Sequence, residues 1–360
     1  MFSLDRHKND SSITVDLLRA VAAQMVCVGH AVGYFMGEWR PASWPLMQNV
    51  GVLIFFVISG FLITYTLFER SKDPSYDFWQ FFIERFARIY SGLIPALALI
   101  VLVDGITIYL TGEPTIVRYF TVKTLLANLF MLEGYRGAFP DSLQWSAFGS
   151  ASPLWTLGIE WHIYIFVGVV FFMFKRPRSI LFLLPLALFF GQTPVYFLFG
   201  SFEPDGVGRG LFLLWIGGAF VYFAVRTIEL SRIVSIVLIA VPATVFVWLE
   251  KPGEEYRLAA YPFLILTFFG LVSLTQSTSA MVTARFRSII GFAADYSFSL
   301  YLVHHTIIVA IWLIYPYRGL TVAIAAIVTS NIAAMLLAEI GEKHHRKIAG
   351  ILKAAWPGSA

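Results

Sequence analysis

The amino-acid sequence predicts an all-α integral membrane protein, and three observations support this fold class. Apolar runs of about 20 residues recur along the chain, which is the length an α-helix needs to cross a bilayer. Only 13% of the residues are charged, whereas soluble globular proteins have about 25%. Runs such as FLLPLALFF also lack the period-two alternation of a membrane β-barrel.

About ten transmembrane helices are expected from these apolar runs. Their predicted ranges are 17–36, 49–68, 79–103, 155–174, 179–199, 209–225, 232–249, 258–276, 291–315 and 320–340. The stretch after Val15 is interpreted as a retained first helix, because it contains ionisable residues and lacks a clean cleavage site. The apolar piece 124–132 is too short to cross, so a re-entrant or interfacial helix is expected near 119–133.

The expected organisation is a cytoplasmic N-terminal segment (1–16), one membrane domain (17–342) and a short basic cytoplasmic tail (343–360). Basic residues concentrate in the segments that face the cytoplasm if the N-terminus is inside. The net charge of +4 therefore reflects topology, and no nucleic-acid partner is expected. The single cysteine, Cys27, excludes an internal disulfide and a cysteine metal cluster, and no metal site is expected.

Arg19 and His30 are the first candidate site residues, because both lie inside the first predicted span. Ionisable side chains in a span are costly and usually serve a function. Eleven helical residues turn through about 1100°, so the two side chains share one face, about 16 Å apart along the axis. His30 can be a general base, a nucleophile or a proton relay, or a core histidine bonded to a neighbouring helix. Asp16 can pair with Arg19 or simply cap the helix.

Arg85 and Arg88 lie at the expected cytoplasmic start of the third span, in FFIERFARIY. Their i, i+3 spacing places both guanidinium groups on one helix face. There they can hold phosphates or a carboxylate through paired hydrogen bonds. The alternative is ordinary positive-inside topology, supported by an i, i+4 pair between Glu84 and Arg88.

Glu160 lies in PLWTLGIEWHIYIF, near the expected outer start of a later span, where a carboxylate needs a partner. It can orient or deprotonate an imidazole, or accept a hydroxyl proton. Tyr164 follows on the same helix face at i+4. His162 and the neighbouring tryptophans are expected to anchor the membrane interface.

The ninth span, DYSFSLYLVHHTIIV, has a polar face formed by Ser297, Tyr301 and one of two adjacent histidines. His304 and His305 point about 100° apart, so at most one of them is expected to face the same cavity as Tyr301. Packing and hydrogen bonds to neighbouring helices are the alternative for both.

Six segments together resemble the integral-membrane acyltransferase 3 family of bacterial O-acyltransferases that act on surface carbohydrates. In chain order they are TVDLLRAVAAQMVCVGHA, GVLIFFVISGFLIT, RFAR at 85–88, PLWTLGIEWHIYI, RGLFLLWIGGAF from Arg209, and YSFSLYLVHH. The first contains a basic residue, ten others and a histidine, as in the family, and the third resembles its Arg-x-x-Arg motif. The chain departs from the family at Leu53 and Trp161, where the family often has acidic residues, and this could change the acceptor site.

The resemblance implies a ten-helix protein of the bacterial inner membrane, with both termini in the cytoplasm. It implies catalysis by His30, and Glu160 is expected to orient His30 or relay its proton. It also implies that Arg19, Arg85 and Arg88 bind acyl-CoA. The expected reaction moves an acyl group from cytoplasmic acyl-CoA to a hydroxyl of an envelope or exported glycan. Acetyl is the acyl group that we expect. CoA is a substrate here, and no tightly bound cofactor is expected.

Seven further residues are expected to bind substrate or support the site: Asp16, Tyr164, Arg209, Ser297, Tyr301, His304 and His305. The alternative function is a proton-coupled secondary transporter, which would use the same buried His, Arg and Glu. A transporter is expected to have discontinuous helices or two related halves, and it needs no CoA. For the enzyme, the expected partners are acetyl-CoA, a glycan or lipid-linked sugar acceptor, and the lipid bilayer.

Overall fold

The computed structural model describes residues 10–37, 45–137, 144–251, 255–277 and 284–355. In these ranges the chain forms α-helices and short 3-10 turns, and strand pairing is limited to one isolated bridge between Glu133 and Trp145. The predicted all-α class is therefore confirmed. The outermost residues of the two predicted terminal segments lie outside the described residues.

The helices are labelled here in chain order. They are α1 (Asp10–Met36), α2 (Met47–Arg70), α3 (Phe78–Thr111), α4 (Pro114–Tyr119), α5 (Val122–Leu129), α6 (Leu154–Lys175), α7 (Ile180–Phe190), α8 (Gln192–Tyr196), α9 (Leu211–Thr227), α10 (Arg232–Leu249), α11 (Tyr261–Ser277), α12 (Ala284–Asp295), α13 (Ser297–Ile314), α14 (Leu320–Ile340) and α15 (His345–Ala355). Short 3-10 turns precede α7 and α15.

Seven of the described helices are long and apolar enough to cross a membrane: α1, α2, α3, α6, α10, α13 and the stretch from α14 into α15. Three shorter apolar stretches, at 177–190, 211–227 and 261–276, coincide with the other predicted spans. Each predicted span thus overlaps an apolar helix in a multi-pass membrane protein. The number of crossings stays a prediction.

Helix boundaries differ clearly from the predicted spans in four places, one of which is the end of α3 at Thr111 instead of 103. Helix α1 begins at Asp10, seven residues earlier than predicted, so part of the expected N-terminal segment is helical. The predicted span 179–199 is divided at Gly191 into α7 and α8, and the span 291–315 is divided at Tyr296 into α12 and α13. Apolar periodicity reports burial rather than backbone continuity, so it could not reveal these breaks.

The predicted interfacial segment near 119–133 begins where α4 ends, and it contains the short helix α5 and a buried polar anchor. Asn128 donates to the carbonyl of Ser146 at 2.9 Å and accepts from the amide of Phe148 at 3.0 Å. These bonds hold the polar loop that follows α5 inside the protein. Irregular backbone at membrane depth requires such internal partners.

The described chain divides into two compact units. The first takes its described residues from Met1–Gly29, Glu38–Thr66 and Phe197–Ser297, and the second from His30–Gly37, Leu67–Tyr196 and Phe298–Ala360. In the first unit, α2 and α9 meet at glycines. A Cβ at Gly60 would overlap the carbonyl of Trp215, and one at Gly218 would overlap the carbonyl of Val57. Glycines allow helix backbones to approach this closely.

In the second unit, the C-terminal helix α15 packs on the beginning of α3. Ala349 lies in a buried cluster with Ile83 and Ala87. Lys353 adds an ion pair with Glu84 at 2.6 Å. The described part of the basic tail is therefore a helix attached to α3.

Candidate active site

His30, near the end of α1, meets His304 of α13 in the second unit. The His30 Nδ1 atom lies 3.0 Å from the His304 Nε2 atom, and the two rings are stacked with centroids 5.1 Å apart. His304 is fully buried. Its Nδ1 atom lies 3.0 Å and 2.9 Å from the carbonyl oxygens of Leu300 and Tyr301. Carbonyl oxygens only accept, so the His304 Nδ1 carries a proton and the neutral ring accepts at Nε2.

The tautomer of His304 determines the tautomer of His30. Because the His304 Nε2 accepts, the His30 Nδ1 must donate, and neutral His30 then has its lone pair on Nε2. If His30 takes up a proton at Nε2, its Nδ1–H still donates to His304, and the bond becomes charge-assisted. The arrangement suits His30 to act as a general base or a nucleophile.

His305 also contacts His30, with ring centroids 5.1 Å apart at an interplanar angle of 85°. Its Nδ1 donates to the Ser150 carbonyl at 2.6 Å. The lone pair on its Nε2 therefore accepts from the Tyr34 hydroxyl at 3.3 Å. The His304 ring therefore stacks on His30, whereas the His305 ring meets it edge-on. In both histidines a backbone carbonyl fixes the tautomer.

Asp104, near the end of α3, fixes the loop that holds His305. Its buried carboxylate accepts from the Ser150 amide at 2.8 Å and from the Ser150 hydroxyl at 2.7 Å. The preceding Gly149 has a φ of 56°, and a Cβ there would overlap Asp104 Oδ2. This position therefore needs glycine both for its backbone conformation and for its close approach.

Sequence reasoning missed Asp104, because the residue directly follows a predicted span and resembles a polar helix boundary. The available signal was the Gly/Ser-rich stretch FGSAS at 148–152. Such a segment is typical of backbone that approaches another group closely. Its partner on α3 is far away in sequence, so the pattern alone could not identify it.

Tyr301 and Glu160 lie near the junction of α13 and α6. The Tyr301 hydroxyl donates to the Pro153 carbonyl at 3.1 Å and contacts the Thr156 hydroxyl. The Glu160 carboxylate accepts from the Tyr164 hydroxyl, which agrees with their i, i+4 spacing. Glu160 also lies within electrostatic range of Tyr301.

The structure gives His30 a histidine as its ring-nitrogen partner, and sequence reasoning did not foresee that pair. His304 lies beside Tyr301, with ring centroids 6.0 Å apart, as the helical spacing allowed. The expectation that Glu160 orients His30 stays a prediction.

The two arginines of α3 have different surroundings. Arg88 pairs with the buried Glu342 at 2.9 Å, and Glu342 also accepts from the amide and hydroxyl of Ser299, each at 2.9 Å. The Arg85 guanidinium lies 5.9 Å from the centre of the Phe81 ring. Its Nε atom has no hydrogen-bond partner in the part of the chain that the structure describes.

The expected pair between Glu84 and Arg88 is wrong. Glu84 instead lies 3.0 Å from Arg70 and 2.6 Å from Lys353. Tertiary neighbours from α2 and α15 replace the local i, i+4 partner, because a helix spacing only allows a pair and does not select it.

The other predicted site residues belong to the first unit. Asp16 lies 3.5 Å from Arg19, as the i, i+3 spacing predicts. Arg209 is exposed in the loop before α9, and its carbonyl accepts from Tyr261. The Ser297 hydroxyl donates to the carbonyl of Ala294 at 2.8 Å, across the break between α12 and α13.

His162 does not anchor the membrane interface, which corrects the expectation for this residue. It is 1% exposed, and its Nδ1 donates to the Gly158 carbonyl one turn earlier at 2.9 Å. The sequence could not distinguish the two cases, because an imidazole between tryptophans fits both an interface and a packed interior.

Comparison with known proteins identifies the family of this chain. The family model described as an acyltransferase domain (Acyl_transf_3) matches residues 13–339. An O-acetyl transferase of Shigella phage Sf6 is 26% identical over 300 residues, which cover 80% of this chain and 82% of the phage protein. Nodulation protein 10 of Rhizobium leguminosarum bv. viciae is 30% identical over 48% of this chain and 47% of that protein.

A third relative is the peptidoglycan O-acetyltransferase OatA of Listeria monocytogenes, which is 31% identical over 47% of this chain and 26% of the listerial protein. The matched region therefore spans less than half of the nodulation and listerial proteins. No solved structure matches this chain. Because the family model covers most of the sequence, the chain belongs to the acyltransferase 3 family.

Proposed function

We propose that this protein moves an acetyl group from acetyl-CoA to a hydroxyl of an envelope or exported glycan, with His30 as the reacting imidazole. The observation that carries the proposal is the bond between His30 and His304, which leaves the lone pair of neutral His30 on Nε2. The names of the relatives support O-acetyl transfer, and the name of OatA supports a glycan acceptor.

The donor is proposed to bind with its phosphates near Arg85. CoA phosphates cannot enter hydrocarbon, so they must stay at a membrane surface, where guanidinium groups bind them well. Arg88 is engaged by Glu342, so we assign it to positioning α3 rather than to direct phosphate binding. The role of Arg19 in donor binding rests on the family resemblance alone.

Two chemical routes are consistent with the His30 tautomer. In direct transfer, Nε2 removes the proton of the sugar hydroxyl as its oxygen attacks the thioester carbonyl, and the C–S bond breaks. The proton then passes from His30 to the departing thiolate. In the two-step route, Nε2 attacks the thioester carbonyl and the C–S bond breaks, which gives an acyl-imidazolium and the CoA thiolate. The sugar oxygen then attacks the acyl carbon, the C–N bond breaks to restore neutral His30, and the hydroxyl proton passes to the CoA thiolate. The His30 Nδ1–H donates to His304 throughout both routes.

The test is transfer of labelled acetyl from acetyl-CoA into an envelope-glycan extract, using membranes that contain the wild type, His30→Ala, or His344→Ala as an exposed-histidine control. We expect incorporation by the wild type and the control and none by His30→Ala at equal protein level. Equal incorporation by all three would exclude His30 as the reacting group. If the wild type neither incorporated label nor bound acetyl-CoA, the result would contradict the proposed acetyltransferase function.

A proton-coupled transporter is the second candidate, because the breaks between α7 and α8 and between α12 and α13 resemble the discontinuous helices of such carriers. Thermal stability separates the two functions, since a ligand stabilises the folded state that binds it. A rise in melting temperature with acetyl-CoA supports the enzyme. A rise only with a small ion or sugar supports the transporter.

A further inference from the structure

Three buried polar residues form a second group in the second unit, which we call the Glu133 cluster: Glu133, Tyr135 and His162. The first two lie in the loop after α5, and the third lies in α6. Each is no more than 1% exposed. None of them has a role in the reaction proposed above.

The three residues converge on one turn of α6. Glu133 packs against Gly158, where a Cβ would overlap the Glu133 carbonyl and lie 3.3 Å from its Oε1 atom. The Gly158 carbonyl accepts from the His162 Nδ1 at 2.9 Å. The His162 ring centre lies 5.7 Å from that of Tyr135. Gly158 therefore provides the space in which the carboxyl group approaches the helix.

The polar ends of these side chains have no hydrogen-bond partner among the residues that the structure describes. Both carboxyl oxygens of Glu133, the Tyr135 Oη and the His162 Nε2 are buried without a hydrogen bond to any residue that the structure describes. Because the His162 Nδ1 donates to a carbonyl, its Nε2 is an acceptor. Unsatisfied buried polar atoms destabilise a protein, so several at one place indicate a bound partner.

A hydroxyl group is the partner that fits this set of atoms. It can donate to the His162 Nε2 and accept from the Tyr135 phenol or from a protonated carboxyl. Burial raises the pKa of Glu133 well above its usual range, which favours the protonated form. A metal ion fits less well, because the described residues contain no group of three ligating side chains arranged to hold one.

Aromatic rings border the cluster, and the backbone of Gly137 packs against its tyrosine. The Tyr135 ring stacks on Phe189 at 5.7 Å, and the His162 ring lies 5.3 Å from Phe190. A Cβ at Gly137 would overlap the Tyr135 Oη. A few convergent polar groups among apolar rings are typical of a small-molecule site.

His162 lies far along α6 from the C-terminal end of that helix, and Trp161 beside it contacts Phe82 and Phe86 of α3, which flank Arg85. At the C-terminal end of α6, Lys175 and Arg176 bind the carbonyls of Ser71 and Pro74, in the loop that leads to α3. Arg85 lies in the second turn of α3. His162 is about 20 Å from Lys175 along the axis of α6. The chemistry of the cluster, rather than its distance from Arg85, favours the acceptor, because a neutral hydroxyl fits these three groups whereas a CoA phosphate requires cationic partners.

We propose that Glu133, Tyr135 and His162 form a subsite that binds hydroxyl groups of the acceptor sugar. The inference rests on the proposed function, because an acceptor exists only if the protein transfers an acyl group to one. It extends that function by assigning acceptor recognition to the loop after α5 and to the first half of α6.

The first experiment measures sugar binding without any donor. Labelled soluble fragments of the envelope glycan are bound by equilibrium dialysis to the full-length protein in detergent. The variants are Tyr135→Phe and Glu133→Gln. Tyr109→Phe is the matched control, because it removes a tyrosine hydroxyl from an exposed position of α3. We expect at least tenfold weaker binding by both variants, and unchanged binding by Tyr109→Phe.

The second experiment measures acetyl transfer with the same variants. We expect the KM for the glycan to rise at least tenfold in Tyr135→Phe and Glu133→Gln, with the KM for acetyl-CoA unchanged. Unchanged glycan binding and an unchanged KM for the glycan in both variants would overturn the subsite. A change in their melting temperatures alone would overturn it too, because the cluster would then hold only structural water. No saturable glycan binding by the wild type would also overturn it.

The two proposals fail in different ways. If the cluster variants lose glycan binding but the wild type transfers no acetyl, the sugar site stands and acyl transfer is wrong. If only His30→Ala loses transfer and the cluster variants bind glycan normally, the reaction stands and the subsite is wrong.

Discussion

At the scale of single residues, His304 is expected to control His30 without touching substrate. In His304→Phe the His30 Nδ1 loses its acceptor, so the neutral ring can place its proton on either nitrogen. We expect kcat for acetyl transfer to fall by about 10²-fold, with little change in the KM for acetyl-CoA. His304→Gln retains an acceptor oxygen and should recover part of the rate. Equal rates for His304→Phe and the wild type would contradict the positioning role.

Arg85 and Arg88 provide a matched pair on one helix face. Arg85→Ala should raise the KM for acetyl-CoA by about tenfold or more, because a charge-assisted bond contributes about 1.5–3 kcal/mol, and should leave the melting temperature unchanged. Arg88→Ala leaves the Glu342 carboxylate buried without its ion partner, and should lower the free energy of unfolding by about 1–3 kcal/mol. The measurements are steady-state kinetics and thermal unfolding. The reverse assignment of effects would exclude the proposed division of roles.

The sequence was sufficient to identify single ionisable residues inside spans, because the cost of burying a charge is evident from its position alone. His30, Glu160 and the α3 arginines were found in this way. Their partners were not, with the exception of helix neighbours such as Tyr164. Asp104 and Ser150 bond across two elements far apart in sequence, and helical periodicity does not report which elements meet.

At the scale of elements, the turn between α10 and α11 should respond to pH. The buried Glu250 accepts from the amides of Tyr256 and Arg257 at 3.0 Å and 3.1 Å. Burial nevertheless raises its pKa to about 7, from an ordinary value of about 4.3. Between these two pKa values the folded state binds more protons than the unfolded state, so stability falls as pH rises through that window.

Thermal unfolding at pH 5 and pH 8 tests this expectation. Between pH 5 and pH 8, the free energy of unfolding should fall by about 1–3 kcal/mol more in the wild type than in Glu250→Gln. The glutamine keeps an acceptor oxygen but does not titrate. The exposed Glu229→Gln is the control and should behave as the wild type. An identical pH dependence in Glu250→Gln and the wild type would show that this carboxyl does not contribute.

The positions of the helices were predictable, but their interruptions were not. Apolar composition located both ends of α6, the end of α1 and the start of α3 to within one residue. The polar start of α1 and the last eight residues of α3 were not predicted. The breaks at Gly191 and Tyr296 depend on local backbone packing. They matter for function, because α13 begins at such a break and carries His304.

At the scale of the whole molecule, contacts of α15 limit the number of membrane crossings. Lys353 pairs with Glu84 at 2.6 Å and lies 6.0 Å from the centre of the Tyr76 ring. The C-terminal helix therefore lies on the membrane side where α3 begins. The chain must then cross an even number of times between Tyr76 and Lys353.

The long helices alone do not satisfy this condition. Of the seven that can cross, two precede Tyr76, which leaves the odd set α3, α6, α10, α13 and α14. If these five all cross, we expect an odd number of the shorter helices α7, α9 and α11 to cross as well. If all three cross, the count is the ten that the apolar runs predict.

Cysteine labelling tests both the parity and the orientation. Cys27 is the only cysteine of the sequence and is buried, so a Cys27→Ala background is suitable. Ser75→Cys places a probe before α3, and Ala355→Cys places one at the end of α15. Since basic residues favour the cytoplasmic side, we expect a membrane-impermeant maleimide to label both only after the cells are opened. Labelling of only one of the two in intact cells would contradict an even number of crossings, and labelling of both would reverse the predicted orientation while preserving the parity.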